Sequence, residues 1–117
     1  MARVAISKTT VGATGINITG ATYSTLATGT DNGVDIDYEG GLTAALKNDT
    51  GGAAVFTIPV GTPASYTTYS LTVPSITVSV ADGVTHLYKL PAIAKLSTGK
   101  VGIDCDVAGK VAILKGL

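Results

Sequence analysis

Glycine, proline and Asn/Asp-Gly signals interrupt this chain about every 8–12 residues, and no helical period persists for the roughly 11 residues of an ordinary helix. The segments between interruptions alternate instead. In Val34-Asp35-Ile36-Asp37-Tyr38-Glu39 the apolar side chains fall on one face of a strand and the carboxylates on the other. Asp31-Asn32-Gly33 precedes this segment as a turn signal, because Asn and Gly tolerate positive φ, and Gly40-Gly41 closes it.

The same reading extends along the chain. Leu42–Lys47 (LTAALK) has the Ala and Leu content of a helical turn, but it is short and hemmed in by Gly40-Gly41 and Asn48-Asp49-Thr50-Gly51-Gly52, which favours a strand. Ala54–Ile58 is a compact apolar run stopped by Pro59, as expected of a buried strand. Residues 61–69, with Pro63, Tyr66 and Tyr69 among small polar residues, read as a long loop. Leu71-Thr72-Val73 is cut by Pro74 and belongs at an edge if it is a strand. Ile76–Val80 alternates, Ala81-Asp82-Gly83 turns the chain, and residues 85–90 return it to Pro91. Residues 101–107 and 111–114 complete the series, separated by Ala108-Gly109-Lys110.

These signals predict an all-β fold: a single antiparallel β-sandwich or jelly-roll domain of about eight short strands. Residues 1–20 read as an N-terminal strand or extended arm, and residues 21–117 as the sandwich. Composition agrees. Of 117 residues 45% are apolar and only 14% charged, with 15 glycines, a share nearly double the usual ~7%. Eight basic and eight acidic side chains cancel, so no basic footprint for nucleic acid is expected. No apolar run approaches the ~20 residues of a membrane span, and Met1-Ala2-Arg3-Val4 opens no secretory signal. One Cys and one His supply neither an intrachain disulfide nor a zinc site.

Four features bear on chemistry. Asp35, Asp37 and Glu39 share a strand face, and hard cations take several oxygens, but the pattern is no EF-hand and describes a solvated face equally well. In Asp104-Cys105-Asp106 alternation turns Cys105 inward between two outward carboxylates, whose charge raises a thiol pKa rather than activating it. His86, Asp82 and the many serines contain the inventory of a triad, without the G-x-S-x-G elbow. Asn17-Ile18-Thr19 and Asn48-Asp49-Thr50 match the glycosylation triplet, which a Thr-rich chain produces by chance. No catalytic, cofactor-binding or metal-ligating set emerges, and an enzyme is the least expected class.

Charge placement says more than charge total. Asp31, Asp35, Asp37 and Glu39 lie together without a basic neighbour in sequence, while Lys89, Lys95, Lys100, Lys110 and Lys115 gather towards the other end. Separated poles suit docking against copies or a complementary lattice; merely solvated patches are the competing reading.

The order of signals from residue 42 onward resembles a known family. Leu46-Lys47-Asn48-Asp49-Thr50-Gly51-Gly52-Ala53-Ala54-Val55-Phe56-Thr57-Ile58 resembles the L-x-K-N-x-(T/S)-G-x-x-x-V-T-I stretch of small β-sandwich auxiliary capsid proteins of tailed bacteriophages. Residues 75–83 resemble their T-V-x-A-G-G segment; Leu90-Pro91 follows, then the paired segments 99–104 and 109–114. The resemblance covers about two thirds of the chain, is a pattern of turns and strands, and stops short of the N-terminal third.

It implies a decoration or cement protein without cofactor, made in the host bacterial cytoplasm and bound to the capsid exterior between major capsid protein subunits. It further implies a homo-oligomer, with a trimer favoured, and no nucleic-acid or membrane partner. Contacts are then expected on the N-terminal segment, at Arg3, Val4, Ile6 and Lys8, and on the loop bearing Tyr66 and Tyr69, since tyrosine anchors interfaces. A tail or fibre-base subunit and a carbohydrate-binding β-sandwich module are the alternatives.

Overall fold

A computed structural model describes residues 3–11, 23–61, 74–96 and 98–116. The described chain is all-β: β1 (Val4–Ala5), β2 (Lys8–Thr10), β3 (Ser24–Thr25), β4 (Val34–Asp37), β5 (Leu42–Lys47), β6 (Ala54–Ile58), β7 (Ile76–Val80), β8 (Thr85–Lys89), β9 (Lys100–Cys105) and β10 (Lys110–Lys115). One 3-10 turn, Ala92–Ala94, follows Pro91. Among the described residues no helix is long and apolar enough to cross a membrane.

The strands form two five-stranded sheets. The first has the order β1-β4-β9-β6-β7; the second runs β2-β10-β5-β8, with β3 also paired to β10. The expectation of purely antiparallel pairing is corrected: β1 runs parallel to β4 and β2 parallel to β10, so both sheets are mixed. Ten strands are seen among the described residues rather than about eight: the N-terminal segment contributes two and Ser24–Thr25 a third short one, while the candidate strand Leu71-Thr72-Val73 lies outside the described residues. Residues 3–11 pass from the edge of one sheet to the edge of the other. The long connections to both partners permit this parallel pairing, which a hairpin could not give.

Both sheets contribute to one core, an arrangement compatible with a β-sandwich. Val34, Ile36, Phe56, Ile58, Val80, Val101 and Ile103 from the first sheet cluster with Leu42, Leu46, Val111 and Ile113 from the second. Phe56, the only Phe of the chain, has no exposed surface. β6 shows why its sequence makes a strand: Ala54, Phe56 and Ile58 are buried, while Val55 and Thr57 between them are partly exposed.

β5 and β10 behave differently, and their near-continuous apolar sequences explain it. Leu42, Ala44, Leu46, Val111 and Ile113 face the main core, whereas Ala45, Ala112 and Leu114 form a second buried cluster on the opposite face, with Val11 and Tyr23 packed against it. A strand covered on both faces has no need of polar alternation. That is the physical reason LTAALK looks helical in composition yet folds as a strand. Asn48, immediately after β5, is fully buried and satisfied: its amide donates to the carbonyls of Gly52 (2.6 Å) and Val80 (2.8 Å) and accepts from the Thr50 N–H and hydroxyl. The Asn48-Asp49-Thr50 triplet is thus a turn lock.

Candidate interaction site

The N-terminal segment is attached by backbone ladders and by one buried ion pair. The Val4 N–H donates to Gly33 O at 3.0 Å and the Ile6 N–H to Asp35 O at 2.9 Å, while the Val11 N–H reaches Lys115 O at 2.8 Å. Between these, Ile6 packs against the main core. Arg3 lies over β9. Its Nε donates to Asp104 Oδ1 at 2.9 Å, and its Nη2 donates to Asp104 Oδ2 at 2.7 Å and to Asp31 Oδ1 at 2.8 Å.

Asp104 is nearly buried. Its side chain is only 5% exposed, and its two oxygens also accept the backbone N–H groups of Asp31 and Gly33, each at 3.1 Å. Burial, the largest influence, pushes this carboxyl upward; the Arg3 guanidinium and the two backbone donors together outweigh it and hold the group below the ordinary aspartate range. The hydrogen bond to Asp104 raises Arg3 in turn. Two glycines make the space. A Cβ on Gly102 would lie 2.6 Å from Arg3 Nε, and one on Gly33 would lie 1.9 Å from Ile103 O. Asp31, whose N–H donates to Asp104, adopts φ of 61°.

This geometry corrects the reading of Asp104-Cys105-Asp106. Cys105 does point inward, but Asp104 is not an outward, solvated carboxylate: the far face of β9 at this point is covered by Arg3. Asp106 is exposed and accepts the Val55 N–H at 2.9 Å. Burial pushes the Cys105 thiol above its usual range. Cys105 is among the residues lining a cavity of ≈ 210 Å³, with Asp104, Asp106, Thr57 and Ser75, and among the described lining residues there is no cationic side chain.

The separated charge poles are likewise corrected. Asp37 accepts from Lys100 at 2.9 Å, Asp49 from Lys110 at 2.8 Å, and Glu39 lies between Lys8 and Lys115, the latter at 3.4 Å. The Lys8 hydrogen bond is the main cause of a lowered Glu39 pKa, and the Lys110 hydrogen bond does the same for Asp49. Strand register creates this pairing: β4 and β9 place Asp37 opposite Lys100. Among the described residues no group of three or more His, Cys, Asp or Glu is placed to hold a metal ion, so the stripe of Asp35, Asp37 and Glu39 does not converge. His86 sits exposed on β8 opposite Leu46, and the Asp82 carboxylate is engaged by the Gly51 N–H at 2.9 Å.

Of the expected contact residues, Val4 is 63% exposed. Arg3, by contrast, is turned inward, its side chain only 14% exposed, and Lys8 is paired with Glu39, so neither presents a free cation. Ile6 is partly buried in the core, and Tyr66 and Tyr69 lie outside the described residues. Residues 6–8 and 36–39 flank an open groove of ≈ 440 Å³ where the segment crosses between sheets. Asp104, Asp31 and Gly102 were the residues that local pattern did not bring to this site; the bare glycine flanking a buried-strand carboxylate was the available signal. No family model, no curated protein and no solved structure matches this chain.

Proposed function

We propose that this protein is a structural component of a phage virion that decorates an assembled head from outside, binding between major capsid protein subunits and tying them together. The β-sandwich reading of the two sheets, of jelly-roll type, belongs to the same proposal. One observation carries it: residues 3–11 supply one edge strand of each sheet, with Val4 and Ala5 exposed. An edge strand offers a partner a backbone ladder, and strand addition is a standard mode of docking. Two further features support the reading. The stretches that resemble the auxiliary capsid proteins fall on β5 to β7, β9 and β10 and on their turns. The charges at Asp37, Glu39 and Asp49 are neutralised within the molecule, which suits a surface that docks by shape and backbone.

The test is co-sedimentation of purified protein with undecorated heads. Binding is expected, and the Val4→Glu variant, altered at an exposed side chain, is expected to bind at least tenfold more weakly while folding normally. Deletion of residues 1–11 is expected to abolish binding. Failure of the wild-type protein to bind any head, or full occupancy by the deletion variant, overturns the proposal.

A further inference from the structure

The attachment of residues 3–11 has an unusual balance. The side chains of β1 and β2 are largely exposed, and apolar anchoring of the segment is confined to Ile6 on the main core and Val11 on the second cluster. The other anchors are the ladders to β4 and β10 and the guanidinium seated on Asp104. Every one of these partners is distant in sequence: Asp31 by 28 residues and Asp104 by 101. No hairpin ties the segment to the strands it pairs with, because parallel neighbours need a long connection.

The socket is specific. Gly102 leaves the space that the guanidinium fills, Gly33 lets its own N–H approach the carboxylate, and Asp104 meets Arg3 through both oxygens. A detached segment would uncover Asp104 and strip it of its countercharge and of both guanidinium hydrogen bonds, which is unfavourable. An empty socket is therefore selected against, and a released segment is replaced most readily by an identical one. A foreign strand would need an arginine at the same offset from its pairing residues; a second copy of this chain carries it by construction.

From this we infer that the N-terminal segment is exchangeable: two copies swap residues 3–11 reciprocally, each Arg3 seated on the other copy's Asp104. All contacts are re-formed unchanged, so the choice between internal and exchanged pairing is set by protein concentration against the effective concentration of the tether. The inference does not rest on the capsid reading, and its test uses the purified protein alone.

Ala5 and Asp35 are register partners in the β1–β4 ladder, and both retain exposed surface. With Ala5→Cys and Asp35→Cys in one chain, oxidation after refolding closes an internal loop if the segment stays at home and gives covalent dimers if it is exchanged. Cys105 is buried and stays a spectator. The expected result is a covalent dimer whose share rises with the concentration at refolding. A mixture of the Ala5→Cys chain with a size-tagged Asp35→Cys chain is expected to give the mixed dimer in preference to either like pair, which random collision would not. Cross-linked monomer alone at every concentration overturns the inference, as does a mixed dimer no more abundant than the like pairs.

Discussion

Arg3 and Asp104 stand 101 residues apart in sequence and meet through two hydrogen bonds, at 2.9 and 2.7 Å, on the far face of β9 from the core. The contact is closed rather than superficial, since the two side chains are 14% and 5% exposed. It joins the first described strand to the middle of the first sheet and sets the terms for how the N-terminal segment is held.

Replacing Arg3 by Ala leaves Asp104 buried with two backbone donors and no countercharge. The expected loss is about 3 kcal/mol, the scale of breaking a buried pair from one side. Asp104→Ala in the same background should then cost far less than it does alone. Urea unfolding of the two single variants and the double measures the coupling, expected above about 1 kcal/mol.

Acid should expose the same pair. Asp104 titrates lower folded than unfolded, so its contribution is fully present above the unfolded value of about 3.9 and is lost as pH falls from there through the lower native value. Unfolding midpoints are expected to change little from this group between neutrality and about pH 5, then fall on the acid side. Asp104→Asn should be less stable at neutral pH and show a shallower acid limb; an equally steep limb would contradict the assignment.

Gly102→Ala places a methyl group 2.6 Å from Arg3 Nε and 2.7 Å from its Cζ. The guanidinium must leave its seat, and the expected cost is about 1–3 kcal/mol. In an Arg3→Ala background the methyl group meets no obstacle from that side chain, so the same substitution should become nearly neutral. Thermal unfolding of the four chains reads this non-additivity.

Asn48→Ala removes both donors to Gly52 O and Val80 O and the acceptor for Thr50. About 2–3 kcal/mol of destabilisation is expected, because the buried Val80 carbonyl loses its partner and the turn loses its remaining side-chain bonds. Amide hydrogen exchange should rise first in the turn at residues 48–52 and in β7, before the rest of the first sheet.

Strand positions were legible where one face is wet. Val34 and Ile36 are buried as the alternation requires, and Ala54, Phe56 and Ile58 as the apolar run does, although Val55 and Thr57 between them keep some exposure. LTAALK was assigned correctly from its boundaries, although its composition points elsewhere until β8, β10 and the second cluster are seen around it. The candidate site was much less legible. Alternation rightly turned Cys105 inward, but local pattern carries no information that a residue 101 positions away covers Asp104. The charge poles failed for the same reason: separation along the chain is undone by strand register, which sets Asp37 beside Lys100.

β10 holds β5 along one side and is shared by β2 and β3 along the other. During synthesis, therefore, residues 8–10 wait more than 100 residues for the strand they join, and Arg3 waits as long for its carboxylate. A chain with partners so far apart in order of emergence folds slowly, with strand edges uncovered in the meantime. A nascent chain stalled before residue 104 carries the charged N-terminal strand with neither of its late partners yet made.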